Sequence, residues 1–289
     1  MSNHSGSVSS TRMAPEFLAF RDFLETSCGI LIGEGKEYLV ESRLRRLMAQ
    51  HGLGGLDQLV QALNRPGSRA LRAQVIDAMT TNETNWFRDA HPFQIILERL
   101  LPEAASTARP FRIWCAACSS GQEPFSISML IEEYGQQGGR LPQGVEIVAT
   151  DISTDVLDQA QQAEYDLTAM SRGLSAKRRQ AHFLQGSAGR FRVRDSIRER
   201  VVFRHQNLLE GFASLGRFDL VLCRNVLIYF SATTKADILS RIHRQLRPNG
   251  VLILGASEAL AQAQGLYRME RCSPGLIYRA LPSVRDRAS

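Results

Sequence analysis

From Phe111 to Gly255, short apolar runs alternate with helical patterns, and this alternation constrains the fold more than any other feature of the chain. The candidate strands are Phe111–Cys115, Val145–Thr150, Val201–His205, Phe218–Cys223 and Val251–Gly255. Between the first two, a helix is predicted to open at Pro124, a residue suited to a first helical turn. Its inward face would carry Ile127, Leu130, Ile131 and Tyr134. Between the last two, Ile238, Ile242 and Leu246 mark a helix closed by the Pro248-Asn249-Gly250 turn. Strands separated by helices imply a mostly parallel sheet with helices on both faces, an α/β fold. The final runs, Leu266–Arg271 and Leu276–Ala280, flank Ser273-Pro274-Gly275, and so short a connection predicts an antiparallel hairpin. Sheets of this class bind ligands beyond the carboxyl ends of their strands, where strand order reverses.

The region before this domain has another period. Phe17, Phe20 and Leu24 recur at helical spacing, as do Val40, Leu44, Leu47 and Met48, and then Leu71, Val75 and Met79. Breaks at Gly52–Gly55 and Arg65-Pro66-Gly67 separate them. The expected organisation is a disordered tail over 1–14 and a small all-α domain over 15–81. A linker and helix over 82–110, the α/β domain over 111–282 and a tail over 283–289 follow. One stretch, about 181–200, is polar, Arg-rich and punctuated by Gly186 and Gly189, and is expected to be a small inserted β-subdomain.

Composition narrows the class without naming it. Hydrophobic residues make up 44% and charged residues 22% of the 289, as in ordinary globular proteins. No run reaches the length of a membrane span, so direct membrane insertion is not expected. The Ser-rich first residues lack a signal-peptide pattern, and a cytoplasmic location is expected. The five cysteines are scattered, which fits reduced thiols. Cys115 and Cys118 form a close pair, but no second Cys/His pair is spaced for zinc, and no metal is expected. The net charge of +6 suits an acidic partner, whether nucleic acid, anionic lipid or an acidic protein face.

The first strand runs into Cys115-Ala116-Ala117-Cys118-Ser119-Ser120-Gly121-Gln122-Glu123-Pro124, a loop of small residues before a helix. Small side chains let a ligand approach the backbone. The loop is not G-x-G-x-x-G, so a dinucleotide fingerprint is poorly supported. Asp151 ends the second strand, where a carboxylate can accept both hydroxyl hydrogens of a ribose. Its other possible use is as a helix N-cap, although Ser153 or Thr154 can take that place. Loop and acid together imply a ribose-containing cofactor, with nicotinamide and S-adenosylmethionine both open.

Four stretches carry a resemblance that separates these. Thr80-Thr81-Asn82-Glu83-Thr84-Asn85-Trp86-Phe87-Arg88, Ala117–Pro124, Ala149-Thr150-Asp151-Ile152 and Cys223-Arg224-Asn225-Val226-Leu227-Ile228-Tyr229-Phe230 resemble the chemotaxis receptor glutamate methyltransferases, the CheR family. Leu246–Gly250 and Ser257-Glu258 also match, in order, over most of the chain. The resemblance implies a Rossmann-like S-adenosylmethionine-dependent methyltransferase domain after an all-α domain, with S-adenosylhomocysteine as product. It implies cofactor contacts from Asn82, Thr84 and Arg88. Glu123 would meet the cofactor ammonium, Asp151 the ribose and Asn207 and Leu208 the adenine, with Arg224 and Asn225 lining the far side. Arg88 and Tyr229 are the implied residues for aligning the acceptor carboxylate. Trp86 and Phe87 are expected in a core or interface.

The chemistry agrees with such a site. A glutamate carboxylate is ionised at neutral pH, with a reference pKa of about 4.3, and needs no general base to attack a methyl group. The motif stretches contain no histidine. Arg43 and Arg46 lie beside the apolar stripe of the second helix, whereas Arg45 points elsewhere. By resemblance, this basic helix would engage the acidic methylation region of a chemoreceptor. Some family members have a longer Gly-containing loop in the inserted subdomain that grips a receptor tail. Gln185–Arg194 is shorter, so action without a tether is expected. Nucleic acid is not the expected substrate, because the loop after the fourth strand reads Arg224-Asn225-Val226-Leu227, without the prolines usual for adenine amine methylation. Aromatics at 7% are also sparse for base stacking. A non-catalytic, cofactor-binding sensor and a small-molecule carboxyl methyltransferase compete with the receptor methyltransferase at this point.

Overall fold

The structure, a computed structural model, describes residues 14–282. The expected tails therefore fall outside the described residues, except Ala14. The chain divides into two compact units after Met79.

The first unit is all helical: α1 Pro15–Cys28, α2 Glu37–Gln50, α3 Leu56–Leu63 and α4 Arg69–Met79. Helix α1 starts on Pro15 and stops at Gly29, whose φ of 78° lets its N–H turn back to the carbonyls of Leu24 and Glu25. It buries Phe17, Phe20, Leu24 and Cys28 along one stripe. Helix α2 buries Val40 and Leu44 but leaves Leu47 and Met48 half-buried. Helix α3 buries Leu59 and Leu63, and its Leu56, Leu59, Val60 and Leu63 recur at helical spacing. Arg43 donates to the Met79 carbonyl at 2.6 Å, binding α2 to the end of α4, while Arg45 and Arg46 are exposed.

The second unit begins with α5 His91–Ile95, a π-helical turn Ile96–Leu100 and α6 Leu101–Ala104. Then come β1 Phe111–Ala116, α7 Gln122–Gln136, β2 Val145–Asp151 and α8 Thr154–Gln162. A smaller region holds β3 Glu164–Tyr165, α9 Leu167–Ser171, α10 Ala176–His182, β4 Phe183–Gln185, β5 Phe191–Val193 and α11 Asp195–Arg198. The large sheet is completed by β6 Val201–His205, β7 Phe218–Cys223, β8 Leu246–Leu254, β9 Tyr267–Arg271 and β10 Leu276–Ala280, with α12 Ala232–Gln245 before β8. The order is β6-β2-β1-β7-β8-β10-β9. The first five are parallel, and β10 runs antiparallel to both β8 and β9. The expected fold class is therefore borne out. Among the described residues no helix is long and apolar enough to cross a membrane.

Side chains of a strand alternate between faces, and the core divides accordingly. Ile113, Cys115, Leu220, Leu222, Val251 and Ile253 face one apolar layer. Trp114, Ala116, Val221, Cys223, Leu252 and Leu254 face the other. Each fully buried Leu or Ile contributes about 1.5–3 kcal/mol by leaving water.

Three local expectations change. Helix α7 opens two residues before Pro124 and is buried on nearly all sides, because α11 and the π-helical turn cover the face away from the sheet. The inserted sheet starts earlier than 181: its strand order β3-β5-β4 recruits Glu164 and Tyr165, too short a run to show a period. Arg247–Gly250 does not simply end a helix. Leu246 already pairs with Phe218, and pairing resumes at Leu220 with Val251, so the turn bulges out of β8 with Asn249 at φ 62°.

Candidate active site

The sheet register aligns the carboxyl ends of four strands. Thr150 lies beside Ala116, Ala116 beside Cys223, and Cys223 beside Leu254. Ala117, Arg224 and Gly255 then leave the sheet together, beside Asp151, the last residue of β2, still paired with His205. The chain moves to opposite sides of β1 in forming β2 and β7, so this is the point where strand order reverses.

Left-handed backbone concentrates here. Non-glycine residues with positive φ include Phe87, Asp89, Ala90, Ala117, Ser119 and Asn225, all on three loops at this edge. Such conformations cost energy and persist where surrounding contacts hold them. Gly121 caps α7 at φ 92°, and a Cβ there would lie 3.1 Å from the Ala160 Cβ and 3.2 Å from the Phe125 ring. Only glycine lets the loop pass this close to α8.

Asp151 ties the loops together. Its buried carboxylate accepts the Ser119 N–H at 2.8 Å and the Ser153 N–H at 3.0 Å. Ser153, rather than Asp151, caps α8 by accepting from Val156. Ser119 in turn donates its hydroxyl to the Asn82 carbonyl at 2.9 Å. The Asp151 carbonyl accepts from Gln206 N–H, bringing up the segment with buried Asn207 and Leu208. The Asn207 side chain accepts the Leu209 N–H.

The expected linker packs on the second unit. Phe87 N–H donates to the Ser126 hydroxyl on α7, and Trp86 N–H donates to the Arg172 carbonyl. Trp86 is fully buried against Tyr165 and Phe183, so it and Phe87 lie in the core of this unit. Arg88 is half-buried and reaches the Glu83 carbonyl at 3.0 Å. Thr84, in the same segment, is half-buried.

Arg224 turns inward. Its side chain is 2% exposed and spans Glu123 at 2.8 Å, Asp89 at 2.7 Å and the Arg88 carbonyl at 2.8 Å. Burial pushes the Glu123 carboxyl up, and Arg224 pulls it back. The Arg224 Nε is buried without a partner among the described residues. An orphaned donor beside a buried carboxylate fits an amino-acid end group carrying both charges, as the methionine part of S-adenosylmethionine does. Cys115 and Cys118 are free and buried, and burial holds both thiols far above the usual range, so they pack as neutral groups.

Tyr229 is half-buried at the end of a 3₁₀ turn, Leu227–Tyr229, that follows left-handed Asn225. The loop is held by Glu258, whose carboxylate accepts N–H groups from Asn225, Val226, Leu227 and Gly255. Sequence reasoning matched Glu258 as part of a motif but gave it no role. Nor did it single out Asp89 or Ser126, for which no local signal exists.

Comparison with known proteins supplies the family. Residues 82–276 match the family described as CheR methyltransferase, SAM binding domain, and residues 15–80 match CheR methyltransferase, all-alpha domain. "Chemotaxis protein methyltransferase 1" of Pseudomonas aeruginosa is 54% identical over 268 residues, covering 92% of this chain and 97% of the relative. "Chemotaxis protein methyltransferase Cher2" of Pseudomonas putida is 53% identical, covering 92% and 98%. "Chemotaxis protein methyltransferase" of Vibrio anguillarum is 47% identical, covering 91% and 96%. With both domains matched in order and such identity along nearly its whole length, the chain belongs to the CheR methyltransferase family and uses S-adenosylmethionine.

Proposed function

We propose that the chain is a protein-glutamate O-methyltransferase that esterifies glutamates in the cytoplasmic methylation region of chemotaxis receptors. The observation that carries this reading is the meeting of the Arg88, Glu123–Arg224, Asp151 and Tyr229 segments at one sheet edge in a chain of this family. The names of the relatives, chemotaxis protein methyltransferases, support the receptor as acceptor. The cofactor-binding residues are Asn82, Thr84, Arg88, Glu123, Asp151, Asn207, Leu208, Arg224 and Asn225. Asp151 accepts from the ribose, and Glu123 faces the ammonium while Arg224 holds it in place.

S-adenosylmethionine held by Glu123, Asp151 and Arg224 would supply the methyl group as an electrophile on sulfonium sulfur, with the neutral thioether as leaving group. No proton has to move, because the acceptor is ionised. The work of the protein is alignment and exclusion of water. Arg88 holds the acceptor carboxylate through its guanidinium, and Tyr229 donates one hydrogen bond. Arg46, with Arg43, presents positive charge to the acidic receptor helices. The short Ser187–Gly189 connection between β4 and β5 supports action without a receptor tail.

The test is transfer of label from methyl-labelled S-adenosylmethionine to membranes containing chemoreceptors, followed by mild base. Base-labile label on the receptor is expected, equally with and without the receptor's C-terminal tail. Labelled RNA, a labelled small molecule or no transfer would refute the acceptor. Strong loss on tail deletion would refute tether-free action.

A further inference from the structure

Glu258 sits outside the residues assigned above to cofactor or acceptor, yet it makes a dense set of contacts at the site. One oxygen accepts the Gly255 and Asn225 N–H groups, each at 2.8 Å. The other accepts Val226 at 2.9 Å and Leu227 at 2.7 Å. Consecutive N–H groups converging on one point form an anion-binding concavity. Here the anion is built into the chain, and each bond is charge-assisted. The approach leaves no room for a side chain at Gly255: a Cβ there would lie 2.6 Å from the Glu258 carboxylate and 2.9 Å from the Asn225 nitrogen.

These contacts bind the end of β8 to the loop leaving β7, across the aligned pair Cys223 and Leu254. Two bonds fall on the first residues after left-handed Asn225, where the chain begins the 3₁₀ turn. Buried Leu227 and Phe230 anchor that turn from below, leaving Ile228 and Tyr229 on its outer side. The carboxylate therefore sets the level and orientation at which Tyr229 emerges.

We infer that Glu258 is a positioning residue, an internal anion that fixes the Asn225–Tyr229 turn so that Tyr229 meets the methyl acceptor. This rests on the acceptor role proposed for Tyr229. Glu258 meets the proposed cofactor site only at the Asn225 backbone N–H and enters neither the Asp151 nor the Glu123 network, so its larger effect falls on the acceptor step.

The test uses the full chain with the isosteric change Glu258→Gln. An amide keeps one acceptor oxygen and turns its NH2 toward two of the four donors, so half of the cluster is lost without a change in volume. Exchange of the Asn225, Val226 and Leu227 amides should speed up at least about tenfold. The kcat for receptor membranes should fall at least about tenfold, with the Kd for S-adenosylmethionine within about threefold. In a Tyr229→Phe background the same change should cost less than about twofold more, because the residue it positions has already lost its hydroxyl. An equal loss in both backgrounds, a cofactor affinity falling in step with kcat, or unchanged kcat despite faster exchange would overturn the inference. If the wild-type chain labels no receptor, the acceptor assignment has failed on its own account. The exchange rates then decide: faster exchange in Glu258→Gln supports the role of the carboxylate, and unchanged exchange overturns it.

Discussion

Replacing Arg224 with methionine should expose how much the inward-facing ion cluster holds up the site. The guanidinium is 2% exposed and the Glu123 carboxylate 13%, with 2.8 Å between them. Methionine is of similar bulk, so the chief loss is charge. Removing one partner of a buried pair leaves the other uncompensated and costs about 3–5 kcal/mol. Asp89 loses the same partner but is a third exposed, so water takes over much of its solvation. A loss of about 3 kcal/mol corresponds to about 6–12 °C in Tm for a domain of this size. Without Arg224, the Glu123 carboxyl, already raised by burial, rises further. A carboxyl raised in the folded state binds its proton more tightly folded than unfolded, so stability falls as pH rises. The defect should therefore be larger at pH 8 than at pH 5. Adding Glu123→Gln removes the stranded charge, and the double variant should regain about half of the loss and show little pH dependence. Urea unfolding at both pH values measures all three chains. A single-variant loss under about 1 kcal/mol, or a double variant as unstable as the single one at pH 8, would show that no stranded charge destabilises the site.

Arg88→Ala and Tyr229→Phe should each lower kcat at least about tenfold while changing the Kd for S-adenosylmethionine less, and Asp151→Ala should mainly raise that Kd, read by calorimetry and label transfer. Gly121→Ala should destabilise by about 1–2 kcal/mol or more in urea, since φ is 92° and Ala160 and Phe125 crowd the new methyl. Gly138→Ala, at φ 88° with nothing within 4 Å, isolates the backbone part of that cost. Burial alone would raise the Glu133 carboxyl, yet hydrogen bonds and charge from Arg178 and His182 hold it down at about 2, from an ordinary value of 4.5. A carboxylate lowered in this way stabilises the fold above about pH 4.5 and loses that contribution as pH falls toward 2. Wild type should thus lose about 2 kcal/mol more than Glu133→Gln between pH 5 and pH 2, after allowing for partial solvent screening.

Much of the architecture was legible because it rests on period. The near-continuous apolar runs in Phe111–Ala116 and Phe218–Cys223 are those of strands buried on both faces, and the small residues after Cys115 announce a close-packed loop without any knowledge of neighbours. Elements too short to complete a period were not legible, and the two-residue β3 is of that kind. The same limit applies to the bulge at Arg247–Gly250, where a turn signal could not reveal that strand pairing begins before it.

Within the site, the residue types at the strand ends could be read from the chain, and its ordered motifs were enough to identify the family and hence the cofactor. Sequence alone could not determine direction. Arg224 turns into a cluster with Glu123 and Asp89, and Glu258 gathers four N–H groups from two loops, because residues far apart in the chain become neighbours only when β1, β7 and β8 align their ends. A buried ion pair and an amide-lined anion site depend on distances of a few ångströms between separate segments. Only the folded sheet sets those distances, and so tertiary structure alone decided which charges are partners and which backbone groups they hold.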